Sequence, residues 1–145
     1  MKKDRAYYRA VEQTLTLADF ERGKHSPEHS FFHLERMRLL CAQLGNPQLG
    51  VPSVHIAGTK GKGTTAAMIT AILGSSGYKV GLATSPHLHS LTERIRIGSE
   101  PISKNDFTNL VKQIWPMVLE TGQNSQYGEV TWFEFMVSAA FYFFR

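Results

Sequence analysis

A cluster of glycines and lysines, set between an apolar run and a helical pattern, constrains the fold more than any other feature of this chain. The stretch VHIAGTKGKGTTAAMITAIL occupies residues 54–73. The run from Ser53, one residue before this stretch, to Ala57 favours a β-strand, and the end of the stretch, from about Gly63 to Leu73, favours a helix. A glycine loop between a strand and a helix is typical of phosphate-binding sites, because backbone N–H groups and the helix dipole converge there.

The residue types in the loop indicate how a nucleotide would be held. Gly58, Gly61 and Gly63 allow the backbone to turn and to approach a ligand closely. Lys62 stands where an ammonium group reaches the β and γ phosphates, which makes it the candidate catalytic residue, and Thr64 offers a hydroxyl to magnesium. The usual phosphate-loop spacing fails, because Gly63 separates the lysine from the threonine.

Other interpretations of the same loop stay open. It could be a glycine-rich turn with incidental lysines, although the strand before it and the helix after it favour phosphate binding. Lys60 either touches a phosphate or is a solvated lysine. Thr65 either supports Thr64 or simply lies in the first helical turn.

Periodicity around the loop predicts an α/β phosphate-loop domain with a parallel sheet. Residues 4–18 and 31–44 have helical spacing, and the polar residues 21–30 between them predict a loop. Residues 79–84, KVGLAT, predict a second strand, so that the glycine loop lies inside a right-handed βαβ unit. Ligands of such sheets gather at the carboxyl ends of the parallel strands.

The remainder of the chain predicts one more strand and two more helices. RIRIG, residues 94–98, alternates charged and apolar residues, which predicts a strand with one buried face and one wet face. Ser103 caps a helix that Pro116 is expected to kink or end. The final segment, residues 131–145, predicts a helix that is apolar on nearly every face and needs a further strand to cover it.

Composition limits the classes of partner. The 145 residues suit one domain, and the net charge of +4 comes from scattered Lys and Arg, which favours small anionic ligands over nucleic acid. The single cysteine, Cys41, predicts a buried thiol in a reducing compartment. No apolar run is long enough to cross a membrane and no secretory signal is visible, so we expect a cytoplasmic protein.

Several motifs together resemble one known family. GTKGKGTT, followed by GYKVGLATSPHLHSLTERIRIGSEPIS, is similar to the amino-terminal part of folylpolyglutamate synthases and bifunctional dihydrofolate synthases, relatives of the Mur ligases. LERMRLLCAQLGNP and TWFEF extend the resemblance over most of the chain from about residue 28. It implies a Mur-ligase-like enzyme in which ATP activates a carboxylate of dihydropteroate or folate as an acyl phosphate, which L-glutamate then attacks.

The resemblance also implies roles for individual residues. It places ATP on the glycine loop, with Ser85 joining Thr64 as a magnesium ligand, and it places His87 near the folate. The nucleotide-binding set is Gly58, Thr59, Lys60, Gly61, Lys62, Gly63, Thr64 and Thr65. The segment Thr131, Trp132, Phe133 and Glu134 matches the pterin pocket of dihydropteroate-using members.

Most of these residues have a second interpretation. Ser85 could simply form a turn before Pro86, and His87 and His89 could be solvated. Glu93 and Arg94 either order their loop as an ion pair or sit in water. Thr131 and Glu134 form a capping box that needs no ligand, and Trp132 and Phe133 could fill the core.

By the resemblance, complete family members have three features later in the chain: an acidic magnesium ligand, a histidine that is a further ligand, and a carboxy-terminal domain that binds glutamate. Residues 1–145 contain none of the three. We therefore expect residues 1–145 to be a partial ATP-binding domain with amino-terminal helices, inactive alone and monomeric when complete. Two alternatives are a nucleotide-binding fragment without catalysis and another phosphate-loop NTPase such as a small-molecule kinase. Whether the substrate is dihydropteroate, folate or both stays open.

Overall fold

This computed structural model describes residues 2–19 and 33–145, which contain five α-helices and one small sheet. The helices are α1 (Lys2–Thr14), α2 (Leu34–Gln43), α3 (Lys62–Ser75), α4 (Lys104–Asn124) and α5 (Trp132–Phe144). The strands are β1 (Gly81–Ala83), β2 (Ile95–Ile97) and β3 (Glu100–Pro101), and two 3₁₀ helices cover Pro47–Gly50 and Leu91–Arg94. The predicted loop at 21–30 and the first residues of the helix predicted at 31–44 lie outside the described residues.

The long helix α4 forms the centre of the core. It begins as predicted, because the Ser103 hydroxyl accepts a hydrogen bond from the Asp106 amide. α1, α2 and α5 all pack against it. The helix runs on past Pro116, so of the two predicted outcomes the end is excluded and the kink stays a prediction. Burial of Ile114 and Val118 on either side of the proline offsets the cost of about 3 kcal/mol that an interior proline carries.

The last helix, α5, begins at the predicted capping box and is mostly buried. The Thr131 hydroxyl accepts from the Glu134 amide, and the Glu134 carboxylate accepts from the Thr131 amide. The apolar face is covered by α2, α4, β1 and the 3₁₀ helix at Pro47–Gly50. Trp132 and Phe135 are completely buried without the further strand that the sequence analysis predicts as their cover.

The sheet differs from the prediction. β1 pairs with β2 and β2 pairs with β3, and both pairs are antiparallel, with Leu82 opposite Arg96. Residues 53–57 form no strand, so the described part of the chain contains no parallel βαβ unit. The physical reason is that a strand requires a neighbouring ladder of hydrogen bonds, which β-favouring residues alone do not supply.

The helix that follows the glycine loop is apolar but exposed. Only Thr70 of α3 is buried, whereas Met68 and Ile72 are 60% and 64% exposed. Val54, before the loop, is 66% exposed. Helices with apolar residues on all sides are normally enclosed by other elements, so this surface stands apart from the packed α1–α2–α4–α5 core.

No helix within the described residues is long and apolar enough to cross a membrane.

Replacement of Gly81 by Ala is expected to lower the free energy of unfolding by about 1–3 kcal/mol, the usual cost of overpacking. A Cβ at this position in β1 would lie 2.6 Å from ring carbons of Phe144, so the end of α5 would have to move. Urea denaturation followed by far-UV circular dichroism measures the change. Gly74→Ala is the matched control, because nothing lies within 4 Å of its Cβ and alanine favours a helix. Equal stability of the Gly81→Ala chain and its parent would contradict the packing of Phe144 on β1.

Candidate functional site

The glycine loop places an open helix N-terminus on the surface. Gly61 is the N-cap of α3 with φ of 74°, and Gly58 has φ of 148°, two conformations that side chains with a Cβ rarely adopt. The first helical hydrogen bond of α3 is donated by the Thr65 amide to the Gly61 carbonyl at 2.9 Å. The amides of residues 62–64 come before this bond and so have no intrahelical acceptor. They form a set of donors suited to an anion.

Both lysines of the glycine loop are exposed to solvent. The Lys62 Nζ donates to the Gly58 carbonyl at 2.7 Å, so its side chain folds back over the loop. Lys60 is exposed as well. No atom lies within 4 Å of a Cβ built on Gly61 or Gly63, which leaves room above the backbone. The eight residues predicted to bind nucleotide are therefore together on one accessible surface.

A second feature is a cavity of about 450 Å³ between α1 and the segment after β1. Its wall includes two of the predicted substrate-binding residues, His87 and Trp132. The other lining residues are Tyr7, Tyr8, Val11, Leu15, His89, Ser90, Leu91 and Lys104. Aromatic rings and a few cationic or hydrogen-bonding groups suit a planar ligand that carries negative charge.

Lys104 and Asp4 form an ion pair at this cavity. The Lys104 Nζ lies 2.9 Å from Asp4 Oδ1 and 5.5 Å from the ring centres of Tyr7 and Tyr8. The hydrogen bond and the charge of Lys104 lower the pKa of Asp4, and the same carboxylate raises the pKa of Lys104. Both groups are therefore charged near neutral pH, and the contact ties α1 to the start of α4.

Glu93 orders the segment that carries the histidines. Its carboxylate accepts backbone N–H bonds from Leu88, His89 and Ser90 at 2.9, 3.1 and 2.7 Å. These bonds, above all those from Leu88 and Ser90, lower the pKa of Glu93 from its ordinary value near 4.5. Glu93 therefore orders its segment through backbone amides, whereas Arg94 donates to His87, so the predicted ordering by a Glu93–Arg94 ion pair stays a prediction.

The stability that Glu93 contributes is expected to depend on pH. A carboxyl whose pKa is lower in the folded state stabilises that state above its ordinary pKa of about 4.5 and loses the contribution as pH falls towards the folded pKa. Glu93→Gln should therefore lower the unfolding midpoint at pH 7 more than at pH 3. Thermal unfolding from pH 7 to pH 3 measures the difference, with the exposed Glu120→Gln as control. An equal effect of Glu93→Gln at both pH values would contradict this role.

Arg94 is buried, although the alternation in residues 94–98 predicts that the charged residues lie on the solvent-exposed face of the strand. It is 4% exposed, its Nε donates to His87 Nδ1 at 2.9 Å, and its guanidinium carbon lies 4.4 Å from the Trp132 ring centre. The stacking and the hydrogen bond offset the cost of burying the cation. The half-buried His87 accepts at Nδ1, so as a neutral ring it carries its proton on Nε2. His89, whose side chain is 90% exposed, fits the solvated interpretation.

The segment from Thr131 to Glu134 divides between the core and the surface. Trp132 is fully buried, and its indole Nε1 has no hydrogen-bond partner among the described residues. Phe133 is 52% exposed and is not part of the cavity wall. The carboxylate of Glu134 is engaged by Thr131 and by Arg36 of α2. A substrate contact at Phe133 or Glu134 stays a prediction, and the capping interpretation of Glu134 accounts for its position.

The predicted magnesium ligands are hydroxyl groups rather than acidic side chains. Thr64 lies in the first turn of α3, and Ser85 follows β1 and precedes Pro86 through a cis peptide bond. Both residues are on the accessible surface, and oxygen donors suit a hard cation. Within the described residues, no group of three or more His, Cys, Asp or Glu side chains could hold a metal ion. Two hydroxyls would therefore hold magnesium only together with phosphate oxygens.

Sequence reasoning missed three contributors to the site. The α1 side chains that line the cavity have a helical pattern, but that pattern does not reveal the partner of the helix. Lys104 has the sequence context of an ordinary solvent-exposed lysine at the start of a helix. Arg36 lies in LERM and contacts TWFE, two fragments that are each weak signals alone. Their chain separation of 98 residues hides the contact from any local pattern.

The chain was compared with known proteins. No protein-family model matches it. It is 43% identical over 111 residues to a dihydrofolate synthase/folylpolyglutamate synthase of Bacillus subtilis, a match that covers 77% of this chain and 26% of the relative. The chain therefore spans about a quarter of the length of that relative.

Solved structures agree with the sequence match. A Mycobacterium tuberculosis folylpolyglutamate synthase complexed with ADP has a TM-score of 0.84 and 31% identity, covering 98% of this chain and 30% of that one. A structure described as an FPGS-AMPPCP-folate complex has a TM-score of 0.83 and 32% identity, covering 96% of this chain and 32% of that one. The fold of most of this chain is thus found within larger synthases.

Proposed function

Since this chain is a homologue of the folylpolyglutamate synthases over most of its own length, we propose that it is the ATP-binding, amino-terminal part of an ATP-dependent ligase that adds L-glutamate to dihydropteroate or to folate tails. The observation that carries the proposal is the open N-terminus of α3 with Lys62 beside it. Such a loop suits phosphoryl transfer, which depends on positioning and charge neutralisation.

The chain's own residues have distinct roles in this proposal. The amides of residues 62–64 and the ammonium of Lys62 neutralise the phosphates of ATP, with Lys60 and the remaining loop residues close by. The hydroxyls of Thr64 and Ser85 would hold magnesium together with phosphate oxygens. Bound there, magnesium would neutralise phosphate charge and orient the transferred group.

The reaction has two balanced steps. An oxygen of the substrate carboxylate bonds to the γ-phosphorus while the bond to the β–γ bridging oxygen breaks, giving ADP and an acyl phosphate. The amine of glutamate then bonds to the acyl carbon, inorganic phosphate leaves, and the amine loses a proton. Activation is needed because a carboxylate is a poor electrophile until its oxygen becomes a good leaving group.

The cavity is the proposed pteridine site. Its aromatic wall, with Trp132 and His87, suits a flat heterocycle, and TWFE favours dihydropteroate as the substrate. Phe133 and Glu134 stay in the proposed substrate-binding segment beside Thr131. The solved FPGS-AMPPCP-folate complex makes folate the first ligand to test.

The proposal includes a longer protein. The exposed apolar surface of α3 and the unpaired residues 53–57 would be enclosed in a complete phosphate-loop domain with a parallel sheet. Residues 1–145 would then be part of that domain with its amino-terminal helices, and the glutamate site would lie elsewhere. We place such a protein in the cytoplasm, as a monomer with small-molecule substrates and no nucleic-acid or membrane partner.

Binding of the two ligands to this chain tests the proposal directly. Isothermal titration with Mg·ATP and with folic acid is expected to give saturable binding of each. A complete ligase also forms a peptide-like amide only when ATP and glutamate are both added. Transfer of phosphate to a stable product without glutamate would favour a small-molecule kinase, and nucleotide binding without folate binding would favour a non-catalytic module.

A further inference from the structure

Arg36 of α2 makes a buried contact that joins two distant parts of the chain. The residue is 3% exposed, and its Nε lies 2.8 and 3.1 Å from the two carboxylate oxygens of Glu134, while Nη2 lies 3.0 Å from one of them. Its Nη1 donates to the carbonyl of Tyr127. A planar guanidinium held by both oxygens of a carboxylate fixes orientation as well as distance.

Glu134 passes this constraint to the start of α5. The carboxylate oxygen that faces Arg36 Nε also accepts from the Thr131 amide at 2.8 Å and from its hydroxyl at 3.0 Å. Thr131 is the N-cap residue, and Trp132 follows it directly. Arg36 therefore holds the residue before Trp132 through a single carboxylate.

Trp132 is the buried side chain that α5 brings to the cavity. Its amide donates to the Ala18 carbonyl at 2.9 Å, which ties the same point to the segment after α1. Its ring supports the Arg94 guanidinium at 4.4 Å, and Arg94 in turn bonds to His87 on the cavity wall. A displacement at the start of α5 would thus reach both Trp132 and His87.

We propose that Arg36 is a positioning residue for the cavity, which it shapes by fixing the N-terminus of α5 through Glu134 and Thr131, without touching the ligand itself. The inference rests on the proposed function in one respect, that the cavity takes the pteridine ring of the substrate. It predicts that Arg36 governs affinity for that ring and leaves the glycine loop unaffected. A neutral, shorter or non-planar group at this position cannot hold both carboxylate oxygens.

The test uses the 145-residue chain with Trp115→Phe. Of its two tryptophans, this substitution leaves Trp132 alone as the fluorophore. Arg36→Met is compared with Arg38→Met, the same substitution at an exposed position of α2. Three quantities are measured below the unfolding transition of every variant: acrylamide quenching of Trp132, binding of folic acid, and binding of Mg·ATP. Arg36→Lys serves as a milder variant in case Arg36→Met does not fold.

Arg36→Met is expected to weaken folic acid binding at least tenfold and to raise the quenching constant of Trp132 at least twofold, while ATP binding changes less than twofold. Arg36→Lys should fall between Arg36→Met and the parent, and Arg38→Met should match the parent. A lower unfolding midpoint with unchanged quenching and unchanged folic acid affinity would overturn the proposal, since that result describes a purely structural ion pair. If the parent chain binds no folic acid, the proposed function fails, and the quenching result alone still decides the role of Arg36.

Discussion

Replacement of Lys62 by Ala is expected to weaken Mg·ATP binding by about 10- to 100-fold, because a hydrogen bond to a charged group contributes about 1.5–3 kcal/mol. The ammonium group now donates to the Gly58 carbonyl at the edge of the loop, within reach of a ligand seated on the amides of residues 62–64. The helix should be unaffected, since Lys62 is exposed at its first turn. Titration calorimetry at one fixed salt concentration measures the loss.

The matched control for this substitution is Lys79→Ala. Lys79 is also exposed and lies after α3, outside the loop, so the variant removes the same charge from the same half of the protein. Its affinity for Mg·ATP should stay within twofold of the parent. Equal weakening in both variants would indicate attraction by net charge alone and would count against a specific phosphate site at the glycine loop.

Replacement of Trp132 by Ala is expected to lower the free energy of unfolding by about 3–5 kcal/mol, the range for removing a large aromatic side chain from a core. Trp132 is completely buried and supports the Arg94 guanidinium, so its removal leaves a void next to a buried cation. Urea denaturation followed by far-UV circular dichroism avoids any dependence on tryptophan fluorescence.

Two neighbouring variants separate core packing from ligand binding. Trp132→Phe should cost less, because it keeps an aromatic ring and removes an indole N–H that has no partner among the described residues. Phe133→Ala, at a position that is 52% exposed, should cost much less again. If Trp132→Phe keeps its stability but loses folic acid binding, Trp132 serves the cavity as well as the core. An unchanged unfolding free energy in Trp132→Ala would contradict the packing around α5.

Local signals in the sequence predicted the helices well. Ser103 and Thr131 cap α4 and α5 as expected, because a capping box involves only residues within one turn. The helical pattern of residues 4–18 and that of residues 63–73 correspond to α1 and α3 within a few positions. The same local reasoning left open whether Pro116 kinks or ends α4, and the helix continues because packing on both sides offsets the cost of the proline.

Pairing over long distances could not be predicted in the same way. β-favouring residues identified β1 and β2 but not their antiparallel register, which depends on how the segment between them folds. The burial of Arg94 follows from Trp132, a residue far along the chain. For the glycine loop, by contrast, all the predicted residues are contiguous, so they lie together on one exposed surface, while nucleotide binding there stays a prediction.

Several contacts join residues that are far apart in the chain, which limits when they can form during synthesis. Lys104 and Asp4 are 100 residues apart in sequence, as are Arg145 and Gly45, and Arg36 and Glu134 are separated by 98. At a translation rate of about 5–20 residues per second, α1 and α2 wait on the order of 5–20 s before these partners are made. Such separations also slow folding, because the entropy of closing a long loop is lost before any contact compensates for it. During that interval the apolar faces of α1 and α2 are available to chaperones, so the efficiency of folding in the cell depends on events at the ribosome as well as on the stability of the finished fold.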